Sequence, residues 1–156
     1  MMNLFHVNIN VEVPVEEEWV TSIQQAVFAT LEHEGVQPNT EVTVLLADDR
    51  QLSDLNQEFM GSKRATDVLS FPAGDPMPGV DHYLGDIAIS IPRARYQAGE
   101  AGHSVSDELR LLAVHATLHL IGYDHATPEE ERQMWSIQGI VISSLTGGMA
   151  ENTIER

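Results

Sequence analysis

Two histidines four residues apart, His115 and His119, and a third six positions further on, His125, are the side chains of this sequence best suited to chemistry. Four residues advance an α-helix by about 400°, so the first two imidazoles share a face with Cβ atoms about 5–6 Å apart. Gly122 lies between the second and third histidines; glycine tolerates positive φ and permits the bend that brings a third nitrogen round. A lone histidine in an apolar helix is ordinarily a core residue satisfied by a hydrogen bond. Three of the chain's seven histidines within 115–125 favour a shared cation, which satisfies the three rings together. Cysteine is absent, so thiolate ligands are excluded and His, Asp and Glu are left. Three imidazoles leave a fourth position open, as in catalytic rather than structural zinc sites. The expectation is one Zn2+ per chain, acting as a Lewis acid and lowering the pKa of water to about 7. Nickel, copper and iron also suit imidazole.

The spacing H-x-x-x-H-x-x-G-x-x-H is similar to that of the metzincin metalloproteases. Their general-base glutamate directly follows the first histidine, where this chain has Ala116. A methyl group takes no proton from water, which disfavours peptide hydrolysis by that route and leaves the base to be found elsewhere.

The elements that must position the trio follow from periodicity. The stretch from Ser106 to Ile121 has no charged residue after Arg110 and no clean polar face, the mark of a buried central helix. Asp107 and Glu108 suit its first turn, and Gly122 stops it. Thr127-Pro128-Glu129-Glu130 opens a further helix with a capping box, which would pin His125 in a short loop between two helices. Upstream, residues 5–13, 42–47, 67–72 and 84–91 read as strands, with 67–72 at a sheet edge because Pro72 ends it. Helices are expected from Trp19 to Gly35, from an Asp48/Gln51 capping box to Gly61, and from Pro92 to about Gly99. The predicted fold is α+β: a small mixed four-stranded sheet packed with about five helices around the histidine-bearing one. Residues 1–146 read as one metal-dependent hydrolase domain and 147–156 as a frayed tail.

Composition narrows the class. A 156-residue chain suffices for a single core. No apolar run reaches the ~20 residues of a membrane span, and the N-terminus lacks a signal peptide's basic and apolar regions, so a cytoplasmic location is expected. The net charge of −16 repels nucleic acid at long range and speaks against non-specific binding of RNA or DNA; no DNA partner is expected. Five of the eight basic residues (Lys63, Arg64, Arg93, Arg95, Arg110) nevertheless lie between 63 and 110.

The segment His115-Ala116-Thr117-Leu118-His119-Leu120-Ile121-Gly122-Tyr123-Asp124-His125 resembles the signature H-G-x-L-H-L-x-G-Y-D-H of the YbeY family, bacterial metal-dependent endoribonucleases that mature ribosomal RNA. Thr66-Asp67-Val68-Leu69-Ser70-Phe71-Pro72 is similar to its T-[DN]-V-L-S-F-P, and Leu84-Gly85-Asp86-Ile87 to its L-G-D-[IL]. The resemblance spans nearly the whole chain. It implies zinc at His115, His119 and His125, cleavage of single-stranded RNA, maturation of the 3′ end of small-subunit ribosomal RNA, ribosome quality control on the small subunit, and the cytoplasm. Two positions depart from it. Ala116 replaces a glycine, and Met60 stands where the family has an arginine facing the substrate phosphate, which removes a bidentate contact.

Lys63 and Arg64 are candidates to take over phosphate neutralisation. Asp86, as Asp67, is a candidate partner for a ligand imidazole; Asp124 is a weaker candidate base, and Ser70 and Tyr123 lie beside the site or simply pack. His6, His33, His82 and His103 are expected to be ordinary surface or loop residues. Three functions remain open: an endoribonuclease, a metallopeptidase favoured by the spacing and opposed by Ala116, and a non-catalytic ribosome-associated metal-binding factor suggested by Met60.

Overall fold

The computed structural model describes residues 4–61, 66–74 and 82–146. Among them the elements run β1 (Phe5–Val11), α1 (Glu17–His33), β2 (Thr40–Ala47), α2 (Asp49–Met60), β3 (Val68–Pro72), β4 (Tyr83–Ser90), α3 (Ile91–Ala101), α4 (Val105–Ile121) and α5 (Pro128–Thr146). The strands form one mixed sheet in the order β1-β2-β4-β3. β1 with β2 and β2 with β4 are parallel, and β3 closes the edge antiparallel to β4. Parallel neighbours require crossovers; α1 supplies the first, and α2 with β3 the second. The α+β class, the element order and the edge position of β3 agree with the sequence-based expectation. The tail from residue 147 lies outside the described residues.

Several boundaries shift by a residue or two, as at β2, which starts at Thr40 rather than Val42; two of the shifts have a clear local reason. β1 stops at Val11 rather than Val13 because its partner runs out: Val11 pairs with Leu46, one residue from the end of β2. Ile91 begins α3 instead of ending β4. The Ser90 hydroxyl accepts from the Arg93 N–H at 3.2 Å, and Pro92 follows in the first turn, so the chain turns helical one residue early.

The pleat sorts the sheet's side chains between two faces. Val42, Val44, Leu46, Ile87 and Ile89 point to the main core, where they meet Ile23, Val27 and Leu31 of α1, Leu109, Val114 and Leu118 of α4, and Met134 and Val141 of α5. The opposite face packs Ala47 and Ala88 against Leu52 of α2. α4 is buried on nearly every side. Its Ser104 N-cap accepts from the Asp107 N–H at 3.0 Å, and its buried Thr117 hydroxyl donates to the Ala113 carbonyl at 2.7 Å. β4 approaches α4 closely at Gly85 (φ +150°), where a Cβ would fall 2.4 Å from the Phe71 carbonyl oxygen and 2.9 Å from Leu120 Cδ2. Only glycine fits there.

Candidate metal centre

His115 and His119 project from one face of α4, as the i, i+4 spacing predicts, with ring centroids 4.7 Å apart. His125 comes back from the following loop to within 6.0 Å of the first ring and 5.0 Å of the second, centroid to centroid. One nitrogen from each ring lies within 4.8 Å of the others.

The turn is held at several points. Gly122 takes φ +122°, and its N–H donates back to the Leu118 and His119 carbonyls. The Tyr123 hydroxyl donates to Glu34 Oε1 at 2.5 Å, tying the loop to the end of α1; this bond, with burial, pushes the phenol up to about 12. Thr127 and Glu130 exchange side-chain and backbone bonds at 3.1 Å, the expected capping box, and so fix where the loop ends.

The rings open onto a cleft of about 520 Å³ between α4 and the edge strand, bounded by Thr66–Ser70, Met60, Leu111 and Gln138. Ser70 and Asp67 therefore line the cleft. Asp86 does not: the β3–β4 register pairs it with Phe71, and the pleat turns it to the α2 face, where it accepts from the Tyr83 hydroxyl at 2.5 Å. The expected contact between Asp86 and a ligand imidazole is thus replaced by one that sequence reasoning missed. His115 Nδ1 meets Gln138 Oε1 of α5 at 2.6 Å. The available signal was a polar residue in the buried stripe Met134, Gln138, Val141, Ile142. The Asp124 carboxylate accepts from the backbone N–H of His125 at 2.7 Å. His103 is no ordinary loop residue, since its Nε2 sits 2.6 Å from the fully buried Glu108 carboxylate in the first turn of α4. Lys63 and Arg64 lie outside the described residues.

Electrostatics keep the pair on α4 neutral. Burial lowers His115 most, with His125 adding to it, against the raising influence of the Gln138 bond and Asp67. Burial again leads for His119, followed by repulsion from His115 and His125, and takes it down to about 4 despite Asp124 and a hydrogen bond from the ring to the Tyr123 backbone. Neutral imidazoles are the form in which histidine ligates a metal. Three imidazoles converging without cysteine, in a cleft with room for a further ligand, fit a borderline divalent ion such as zinc. Ala116 is buried and brings no carboxylate to the trio.

A family model described as Endoribonuclease YbeY matches residues 6–146. Among relatives of that name, one from Desulforamulus reducens is 44% identical, the alignment covering 81% of this chain and 86% of the relative. One from Bacillus cytotoxicus is 38% identical over 83% and 88% of the two chains. One from Acetivibrio thermocellus is 36% identical over 92% and 97%. The solution structure of TM1509 from Thermotoga maritima superposes with a TM-score of 0.63 at 24% identity, covering 96% of this chain and 95% of that one, a likeness of fold.

Proposed function

The chain belongs to the YbeY endoribonuclease family, and from that premise we propose that it is a zinc-dependent endoribonuclease of single-stranded RNA, with His115, His119 and His125 holding one ion. The observation that carries this reading is the convergence of three imidazole nitrogens within 4.8 Å at the mouth of a cleft. When bound, zinc supplies Lewis acidity and the means to ionise water near pH 7. The protein's own part is to orient and to exclude. α4 fixes two rings by burial, and the Gly122 bend with the Tyr123–Glu34 bond fixes the third. β3, at the sheet edge, borders the cleft with an extended backbone along which a single strand can lie.

Phosphate charge needs cations that the histidine cleft's described lining lacks. Lys63 and Arg64, which follow α2 in sequence, are the basic residues nearest along the chain to Met60 and are assigned this role. Asp86, the candidate partner for a ligand imidazole, is given no part in the site, because it lies across the sheet. In keeping with the family, the substrate is small-subunit ribosomal RNA at its 3′ end, with the small ribosomal subunit as partner in maturation and quality control, in the cytoplasm. No described helix is long and apolar enough to cross a membrane. Met60, 52% exposed and lining the cleft, favours one second reading, a metal-binding ribosomal factor of weak catalytic power. The peptidase reading lacks a carboxylate at Ala116.

Elemental analysis of native protein and a gel assay on single-stranded RNA test the proposal together. About one zinc per chain and chelator-sensitive cleavage are expected, with both lost in His119→Ala. Equal cleavage by wild type and variant defeats it, and zinc without cleavage in wild type turns the assignment to the second reading. Met60→Arg then shows whether that position limits the chemistry.

A further inference from the structure

We propose that Gln138 is a positioning residue for the metal centre: its side-chain oxygen holds His115 in the Nδ1–H tautomer and so presents Nε2, as a lone pair, to the ion. The inference rests on the ligand assignment above and extends it to a helix that carries none of the three histidines.

Three observations carry it. Gln138 is only 2% exposed and is the polar member of the buried stripe Met134, Gln138, Val141, Ile142 on α5. An amide so placed is costly unless bonded. Its Oε1 lies 2.6 Å from His115 Nδ1, a contact between residues 23 apart that the α4–α5 packing brings together. His115 also has His119 and His125 beside it, with one nitrogen of each ring within 4.8 Å of the others.

These fix the direction of the bond. A neutral imidazole has one N–H and one lone pair. Were the amide nitrogen of Gln138 to face the ring, Nδ1 would accept, Nε2 would carry the proton, and an N–H would point at the other two imidazoles where a cation is to bind. With the amide oxygen facing the ring, Nδ1 donates and the remaining lone pair is available for coordination. The nitrogen a histidine offers to a metal is commonly set by the hydrogen bond at its other nitrogen. Gln138 does this without charge. A carboxylate in its place would hold the same tautomer and raise the basicity of the ring, so Gln138→Glu is the conservative variant and Gln138→Met, of similar length but with no acceptor oxygen, the disruptive one.

Metal-free protein and Zn2+ in competition with a chromophoric chelator provide the test, with nitrogen-15 NMR of the imidazoles as a readout independent of catalysis. Wild type is expected to show His115 protonated at Nδ1 before metal is added. Gln138→Met loses that preference and binds Zn2+ roughly 10–100-fold more weakly, whereas Gln138→Glu binds as tightly as wild type or more so. An Nε2–H tautomer in metal-free wild type overturns the inference, and so does unchanged zinc affinity in a folded Gln138→Met protein. If circular dichroism shows that Gln138→Met does not fold, the wild-type tautomer and Gln138→Glu decide, and a tenfold loss of affinity in the latter counts against the role. A wild-type protein that binds no zinc at all fails at the earlier step, removing the ligand assignment and this inference with it.

Discussion

α4 and α2 are held by different physics. α4, 17 residues long, is buried around its circumference, with Leu109, Val114 and Leu118 at 0% exposure. α2, 12 residues long, buries only Leu52 and Asn56 and leaves Phe59 and Met60 exposed at its end. It relies on its ends: a reciprocal Asp48–Gln51 capping box, with the Gln51 N–H donating to Asp48 Oδ1 at 2.8 Å, and Gly61 in the left-handed conformation. The groove beside α2, about 610 Å³, is lined mainly by apolar side chains such as Leu45, Leu55 and Phe71. The histidine cleft lies across the sheet, and Met60 borders both. Two of the three groups that must converge stand on the element whose position packing over-determines, as close-packed interiors allow. The element held by its caps instead leads into the part of the sequence with Lys63 and Arg64.

Substitutions on each side sharpen the contrast. Leu118→Ala should have the largest effect, about 2–5 kcal/mol of stability by urea unfolding. Because Leu118 precedes His119, zinc affinity should fall as well; a loss of stability with unchanged affinity would show that the rings do not depend on the packing of α4. Acid comes next. His119 titrates near 4 in the folded, metal-free protein and near 6.5 when unfolded. Between those values the unfolded chain binds more protons, so this contribution is complete above about pH 6.5 and declines as pH falls toward 4. Urea unfolding of chelator-treated protein across that window should show the decline, and His119→Gln should flatten it; an equal slope in both would reject the assignment. Asp48→Ala is the mildest, about 1 kcal/mol, with zinc binding unaltered. A matching loss of zinc affinity would mean that the two helices are coupled.

What could be read from the sequence was local. The i, i+4 histidines, the Gly122 bend and the Asp48 and Thr127 capping boxes each span a few residues, and each is present as expected. Asp86 shows where that reading ends. Alternation along β4 separates Asp86 and Ala88 from Ile87 and Ile89, but which set meets α4 depends on parallel pairing with β2, some 40 residues away. Gln138 was missed for the same reason, as its partner lies on another helix. His103 was read as a loop residue because nothing local indicates that Glu108, in the first turn of α4, is buried.

The bond between Tyr123 and Glu34 joins positions 89 apart, and that between His115 and Gln138 joins positions 23 apart. The site is therefore closed by contacts from both α1 and α5. During vectorial synthesis, a nascent chain that has not yet released α5 presents its histidines without their final support, and long-range contacts of this kind are the last to form. Full support of the proposed ligand trio thus waits on α5, and by then α1 and α5 have met the same core.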